Sequence, residues 1–298
     1  MARILVTGGA GFIGSHLVDK LVFLGHQVTV LDNLSKGKKE NVNKNAKLVL
    51  GDIRDNLSGP LKNKKFDYVY HLAAQTSVKK SFDNPEENAE INASGSVNVA
   101  DYCVRNGAKK LIFSSSAAVY SPAARLPLEE ESEIRPLSPY GNSKYFIERH
   151  LSQTADLKHV CLRYSNVFGP RQDSNGEAGV VSIFVGNALQ GKPLRINGDG
   201  NQTRDFVYVK DVVAANVWAL NLGARGVYNV STGKESSISW LAGKIIDLTY
   251  SASDIEYREG LDGELRRSCL SFGKIGNLGW KPKYSLEKGL RETIDAFE

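Results

Sequence analysis

Through the first half of the chain, short apolar runs rich in β-branched residues alternate with longer segments whose apolar residues recur at helical spacing. βαβ units produce that alternation when they build a parallel sheet. The strand candidates are RILVT (3–7), QVTVLD (27–32), KLVLGDI (47–53), DYVYHLA (67–73), KLIFSSS (110–116) and VCLRYSN (160–166). Most are nearly continuous hydrophobic runs, as strands covered on both faces require. Residues 11–25, 88–106 and 138–154 carry the helical spacing between them. The pattern predicts a doubly wound α/β fold. Beyond Gly169 the order is less regular: a helix over 180–190, a turn at GDGNQ (198–202), FVYV, another helix and the strand VYNVS (227–231). This reads as a main domain at 1–165 and a smaller α/β lobe at 166–298, interleaved by a return of the chain to the main sheet near 206–232.

Composition narrows the class without changing the fold. At 298 residues, with 41% hydrophobic and 24% charged positions, the chain can bury a sizeable core. The apolar runs are strand-length and the N-terminus enters one without a charged leader, so the expectation is a cytoplasmic protein with no membrane association. The three cysteines, Cys103, Cys161 and Cys269, lack metal-ligand spacing, so neither a zinc site nor a disulfide framework is expected. The formal charge of +5 is dispersed, with its densest cluster at Lys36, Lys38 and Lys39 in a loop. That argues against nucleic acid and reads first as a solvated loop, with attraction of a small anionic ligand as the functional alternative.

The first candidate chemistry is the turn Thr7-Gly-Gly-Ala-Gly-Phe-Ile-Gly14, which follows the first strand directly and opens the first helix. Gly8 suits a positive φ, Gly11 a close approach of backbone to pyrophosphate, and Gly14 packing of helix on strand. The free N–H groups at the helix start, through Phe12 and Ile13, then face phosphate. The second strand ends in Asp32, whose carboxylate can accept from ribose hydroxyls and repel a 2′-phosphate, which favours NAD over NADP. Asn33, Ser35, Lys36 and Gly37 follow it in the expected nucleotide pocket. Asp52 and Ile53, after the third strand, are placed to hold adenine by hydrogen bond and by packing.

The second candidate is Tyr140-Gly-Asn-Ser-Lys144, at the start of a predicted helix opened by Pro139, together with Ser114-Ser115-Ser116 at the end of a strand. Tyr140 and Lys144, four residues apart, share a helix face. A phenol with a pKa of ~10 is a poor base near neutrality. A nearby ammonium and a positively charged nicotinamide both favour phenolate, which makes Tyr140 a usable general base. Ser116 can bond the same substrate hydroxyl, Lys144 can hold the nicotinamide ribose, and Ser114 lies beside the cofactor.

These residues resemble the extended short-chain dehydrogenase/reductase family and, within it, the UDP-glucose 4-epimerases. HLAAQTSV (71–78), SPYGNSK (138–144), LRYSNVFGPRQ (162–172) and GDGNQTRDFVYVKDV (198–212) look like that group's segments, and the resemblance covers roughly residues 3–290. It implies that Leu72, Ala73, Ala74 and Thr76 line NAD with Asn92 nearby, and that Tyr164 flanks the nicotinamide pocket. On the side of a UDP-hexose substrate it implies Asn166 at the diphosphate, Val181 and Arg195-Ile196-Asn197 at uracil, Arg204 at phosphate, and Glu264. The implied reaction is reversible oxidation at the sugar C4 with Tyr140 as base, rotation of the 4-keto sugar, and return of hydride to its other face, with NAD retained. It also implies a homodimer formed by the 88–106 and 138–154 helices.

Two positions depart from the pattern. Leu261 stands where the group has a second phosphate-binding Arg before Gly263-Glu264, with Arg258 three residues earlier, and Ala118 replaces a frequent Thr. Ser268 falls where some members carry a bulky Tyr walling the sugar pocket, so N-acetylated sugars are expected to fit. Three rival readings are a nucleotide-sugar 4,6-dehydratase, a sugar-acid decarboxylase and a non-catalytic NAD sensor or scaffold. The dehydratase needs acidic residues where Ala117 and Ala118 stand, and non-catalytic relatives commonly lose the Tyr and Lys pair.

Overall fold

A computed structural model describes residues 1–62, 64–174, 179–221, 223–260 and 265–298. The chain opens with β1 (Arg3–Thr7), α1 (Phe12–Phe23), β2 (Gln27–Asp32), β3 (Lys47–Leu50) and β4 (Tyr68–His71). Then come α2 (Val78–Asp83), α3 (Pro85–Ala89), α4 (Gly95–Arg105), β5 (Lys110–Ser116), α5 (Pro139–Gln153) and β6 (His159–Tyr164). The later part holds β7 (Asn166–Phe168), α6 (Val180–Leu189), β8 (Leu194–Asn197), β9 (Thr203–Arg204), β10 (Phe206–Tyr208), α7 (Val209–Trp218) and β11 (Gly226–Val230). It ends with β12 (Ser236–Ser237), α8 (Ile238–Thr249), β13 (Ile255–Arg258), β14 (Arg267–Ser268), α9 (Gly273–Gly276) and α10 (Leu286–Asp295).

Two compact units share these elements: Met1–Ser121, Glu133–Arg163 and Val213–Tyr228 form the first, and Pro122–Ser132, Tyr164–Val212 and Asn229–Glu298 the second. The sheet of the first runs β11-β6-β5-β4-β1-β2-β3, with parallel pairing at β3–β2, β2–β1, β1–β4 and β4–β5. This is the doubly wound order, whose switch point lies between β1 and β4, outside their C-terminal ends. One face is covered by α4 and α5, whose Val99, Tyr102, Cys103, Ile147 and Leu151 pack with Leu5, Val69, Leu111 and Phe113 of the strands. Buried aliphatic side chains of this kind each contribute about 2 kcal/mol. Leu17, Val18 and Leu21 of α1 are buried as well.

Several elements depart from the expectation. The strand expected over 160–166 stops at Tyr164, because the chain changes partners there: Ser165 N donates to Val230 O, whereas Asn166 N donates to Asp205 O. Asn166 thus starts a separate strand paired with β10. The helix expected from residue 88 begins at Pro85, since Asn84 caps it by accepting from Glu87 N at 3.1 Å, and Glu90–Ser94 forms a π-helical stretch before α4. The return segment is 213–228, narrower than 206–232. It is tied down by Lys110, a buried lysine whose Nζ donates to the carbonyls of Ala219, Asn221 and Ala224 at 3.0, 2.5 and 3.0 Å. Residues 122–132 belong to the second unit, where Leu128 exchanges backbone bonds of 2.8 Å with Cys269 and Ser271. In that unit Asp205 is fully buried and accepts from Thr232, Gly233 and Leu270 N–H groups, joining the end of β9 to the segments after β11 and β14.

Candidate active site

The phosphate-binding turn is shaped by what a side chain would strike. Gly8 has φ +71°, and a Cβ there would come 2.6 Å from Ala73 N, so the segment after β4 can pass only because the residue is glycine. Gly14 is required by the turn rather than by strand packing: its Cβ would lie 2.1 Å from Gly8 O. Helix α1 opens at Gly11 with no side-chain cap, which leaves the N–H groups at Phe12 and Ile13 for an anion. Asp32 is clamped into this turn, its Oδ2 accepting from Ala10 N and its Oδ1 from Leu34 N, both at 2.9 Å. Its remaining lone pairs are the ones open to a ribose. Asn33 Nδ2 donates to Asp52 Oδ2 at 2.8 Å and its Oδ1 receives Ser35 N, while Lys36 is exposed. The Arg54 guanidinium holds the Asp52 carboxyl well below the usual range, so Asp52 is an acceptor throughout. The Ile53 side chain is buried in the core cluster with Val99.

The segment after β4 is held from below. His71 is fully enclosed between Thr7 Oγ1 at 2.7 Å and Ser96 Oγ at 2.8 Å, and burial, aided by the Lys144 charge, pushes it down to about 3. It is a neutral strut for the turn. Asn92, on the π-helical stretch, spends its amide on positioning: Oδ1 accepts Gln75 N, and Nδ2 donates to Gln75 O and Asn88 Oδ1. It braces Leu72, Ala73, Ala74 and Thr76. Gln75 Oε1 is buried without a hydrogen-bond partner. The uncapped helix start, the close approach at Gly8 and that open acceptor together fit a dinucleotide.

The proton-transfer groups sit where α5 meets the end of β5. Ser138 caps α5 by accepting Gly141 N at 3.0 Å, with Pro139 in the first turn. Glycine at 141 lets that turn lie on the bend after β5, since a Cβ would come 2.3 Å from Ala118 O. Tyr140 is thereby brought to Ser116. Burial pushes the Tyr140 phenol above its ordinary value, and the hydrogen bond from Ser116 opposes it. Burial is the larger of these two influences on the phenol. Lys144 is 4% exposed; its Nζ donates to Ser114 O at 2.9 Å and lies 4.8 Å from the Phe113 ring and 5.8 Å from the Tyr140 ring. Burial lowers it to about 8, with Glu148 opposing the shift. Ser114 therefore reaches Lys144 through its carbonyl.

In the second unit the implied uridine residues divide by exposure. Val181 and Ile196 are buried in the core, so only their backbone is open to a ligand, whereas Arg195 and Asn197 alternate outward. Arg195 pairs with Glu256 at 3.2 Å, and Arg258, opposite Asn197 in the β8–β13 pair, lies 3.7 Å from the same carboxylate. Arg204 donates to Thr203 O at 2.8 Å and stands in register with Ser268, which is buried on β14. Arg266 is held by Asp199 and Arg267 by Glu235, so both are occupied. Asn166 is exposed at the start of β7, and Tyr164 is buried at the end of β6. Ser165 Oγ, Gln172 Oε1 and Gln202 Oε1 are buried without hydrogen-bond partners, a sign of polar ligand that the sequence reading missed. Leu261 and Glu264 lie outside the described residues. Among those described, no group of His, Cys, Asp or Glu could hold a metal ion, and no helix is long and apolar enough to cross a membrane.

Known proteins share this arrangement along the whole chain. A UDP-glucose 4-epimerase from Thermotoga maritima, solved with UDP-glucose, is 42% identical over 99% of this chain and 98% of its own, with a TM-score of 0.96. A UDP-glucose 4-epimerase from Thermus thermophilus, solved with NAD, is 41% identical over the same shares, with a TM-score of 0.93. A UDP-N-acetylglucosamine 4-epimerase from Methanobrevibacter ruminantium, in complex with UDP-N-acetylmuramic acid, is 39% identical over 99% and 98%, with a TM-score of 0.94. Residues 4–231, from the glycine turn through the proton-transfer helix to the end of the return strand, match the NAD dependent epimerase/dehydratase family, to which the chain belongs.

Proposed function

We propose that the chain is a UDP-hexose 4-epimerase that interconverts UDP-glucose and UDP-galactose and also accepts the N-acetylated pair. The observation that carries this reading is the buried Tyr140 and Lys144 pair, locked to Ser116 and to the Ser114 carbonyl beside a glycine turn shaped for pyrophosphate. NAD, held through Gly8 to Gly14, Asp32 and the 72–76 segment, supplies reversible hydride acceptance when bound. Tyr140 Oη takes the proton of the sugar 4-hydroxyl and later returns one, and Ser116 orients that hydroxyl. Lys144, as an ammonium, offsets the charge that develops on the phenol. Asn166, Arg204 and the backbone at Val181 and Arg195-Ile196-Asn197 hold the nucleotide, while Ser268 leaves room for an acetamido group. A firmly held nucleotide with a loosely held hexose is what presentation of both sugar faces demands.

A dehydratase would need carboxylates after Ser116, and there Ala117–Val119 form a short 3₁₀ turn whose Ala118 carbonyl is packed against α5. The protein is proposed to act as a cytoplasmic homodimer. Buried free thiols at all three cysteines support the compartment. Exposed Val104 on α4 and Phe146 on α5 support a self-complementary apolar face. Incubation with UDP-galactose and no added cofactor tests the activity: formation of UDP-glucose is expected, and its absence in protein loaded with NAD overturns the reading.

A further inference from the structure

One helical turn beyond Lys144, Glu148 is 5% exposed, and Arg163 on β6 is 3% exposed. Arg163 donates to the Glu148 carboxylate through Nε at 2.9 Å and Nη2 at 2.6 Å, and Ser115 Oγ donates to the same carboxylate at 2.5 Å. The guanidinium lies 4.8 Å from the Tyr120 ring centre. A buried ion pair is a weak source of stability, because desolvation offsets most of the attraction. Its connectivity is more informative. Alternation along β5 turns the Ser115 side chain toward α5, while Ser114 offers α5 its carbonyl, which Lys144 Nζ takes at 2.9 Å. Ser116, on the other side, hydrogen-bonds Tyr140. Tyr140, Lys144 and Glu148 succeed one another at four-residue spacing on one face of α5. One carboxylate therefore joins the strand end that carries the serines, the helix that carries the base and its cation, and the neighbouring strand β6.

We propose that Ser115, Glu148 and Arg163 form a positioning clamp that fixes α5 against the end of β5 and so sets the Tyr140–Ser116 and Lys144–Ser114 geometry on which proton transfer depends. All three are positioning residues, acting through the four groups that they hold in place. The proposal rests on the epimerase reading for its activity assay, and a second measurement frees it from that reading. Ser115→Ala deletes the hydroxyl without changing charge and with little change in volume. Loosening the register of reacting groups by a fraction of an ångström costs on the order of tenfold in rate. The expected result is a kcat for UDP-galactose lower by about tenfold with KM and NAD affinity within about twofold, partial recovery in Ser115→Thr, which keeps the hydroxyl, and a larger loss in Glu148→Gln, which leaves Arg163 buried without its counter-charge.

The second measurement needs no substrate. The near-ultraviolet phenolate absorbance of each protein is compared with that of its Tyr140→Phe counterpart across alkaline pH. The groups facing the phenol and its lysine are Ser116 on β5, neutral His71 on β4 and Glu148 farther along α5, so slackening the clamp weakens the Ser116 bond that favours phenolate. The Tyr140 titration is expected to move upward in Ser115→Ala. Unchanged kcat and an unchanged titration, with only the thermal midpoint lowered, would show a merely structural ion pair and overturn the proposal. A wild type inactive on UDP-galactose overturns the substrate reading instead, and the titration then decides the clamp alone.

Discussion

Lys144→Met separates what the buried ammonium does for catalysis from what it does to stability. Lys144 is lowered from 10.5 to about 8 by burial, so between those values the folded chain binds fewer protons at this site than the unfolded chain, and stability rises with pH across that window. At about 1.4 kcal/mol per unit, the buried charge costs about 3 kcal/mol near neutrality and most of that is gone by about pH 10. Methionine fills nearly the same volume without the charge. It also abandons the bond to Ser114 O and the contact with the Phe113 ring, a loss of about 2 kcal/mol together. The variant is therefore expected to be more stable than wild type by about 1 kcal/mol near pH 7 and less stable by about 1 kcal/mol near pH 10, although its turnover is abolished. Urea unfolding of both proteins at the two pH values measures the difference, and titrating groups that do not touch Lys144 cancel because they are common to both. A stability difference that does not change with pH would show that Lys144 keeps its ordinary affinity for protons and would refute the reasoning.

Tyr140→Phe deletes the proton acceptor while keeping the ring, so turnover is expected to fall by ~10² to 10⁴ with NAD binding retained, and near-normal turnover would exclude Tyr140 as the base. Lys110→Met is expected to act in the opposite sense to Lys144→Met, destabilising by about 2 kcal/mol or more because three carbonyls at the end of α7 lose their donor, as read from the urea midpoint. Ser268→Tyr is expected to lower kcat/KM for UDP-N-acetylgalactosamine more than for UDP-galactose; an unchanged ratio would mean that Ser268 does not gate the sugar pocket. Light scattering at micromolar concentration is expected to give a dimer, and a monomer would count against the α4 and α5 interface.

The strands and the two chemical motifs were legible because each is a contiguous signal: an apolar run, a glycine turn set between strand and helix, a tyrosine and lysine one helical turn apart. What was hidden depends on contacts between distant segments. Lys110, Glu148 and Arg163 carry no local signal of burial, and only tertiary packing places them in the interior with partners. Gly14 read as a helix-packing glycine, but the backbone carbonyl that would clash with its side chain belongs to the turn itself. Asn92 and His71 are polar residues whose capacity is spent on holding backbone, which no local pattern announces. The excursion over 122–132 escaped notice because its anchor, Leu128, pairs with a strand segment about 140 positions away.

The strand order also constrains how the chain can be made. Strand β11 completes the sheet beside β6, yet it is synthesised only after the whole stretch 164–212 of the other unit has left the ribosome. Until then β6 is an open edge, with its row of unpaired N–H and C=O groups available to any other extended chain. A nascent or truncated product ending before Gly226 would carry an intact glycine turn and an intact Tyr140 and Lys144 helix on a sheet that can still recruit a neighbour, so premature termination here favours aggregation over a small functional fragment. Expression yield, rather than activity, is where a shortened chain would first betray itself.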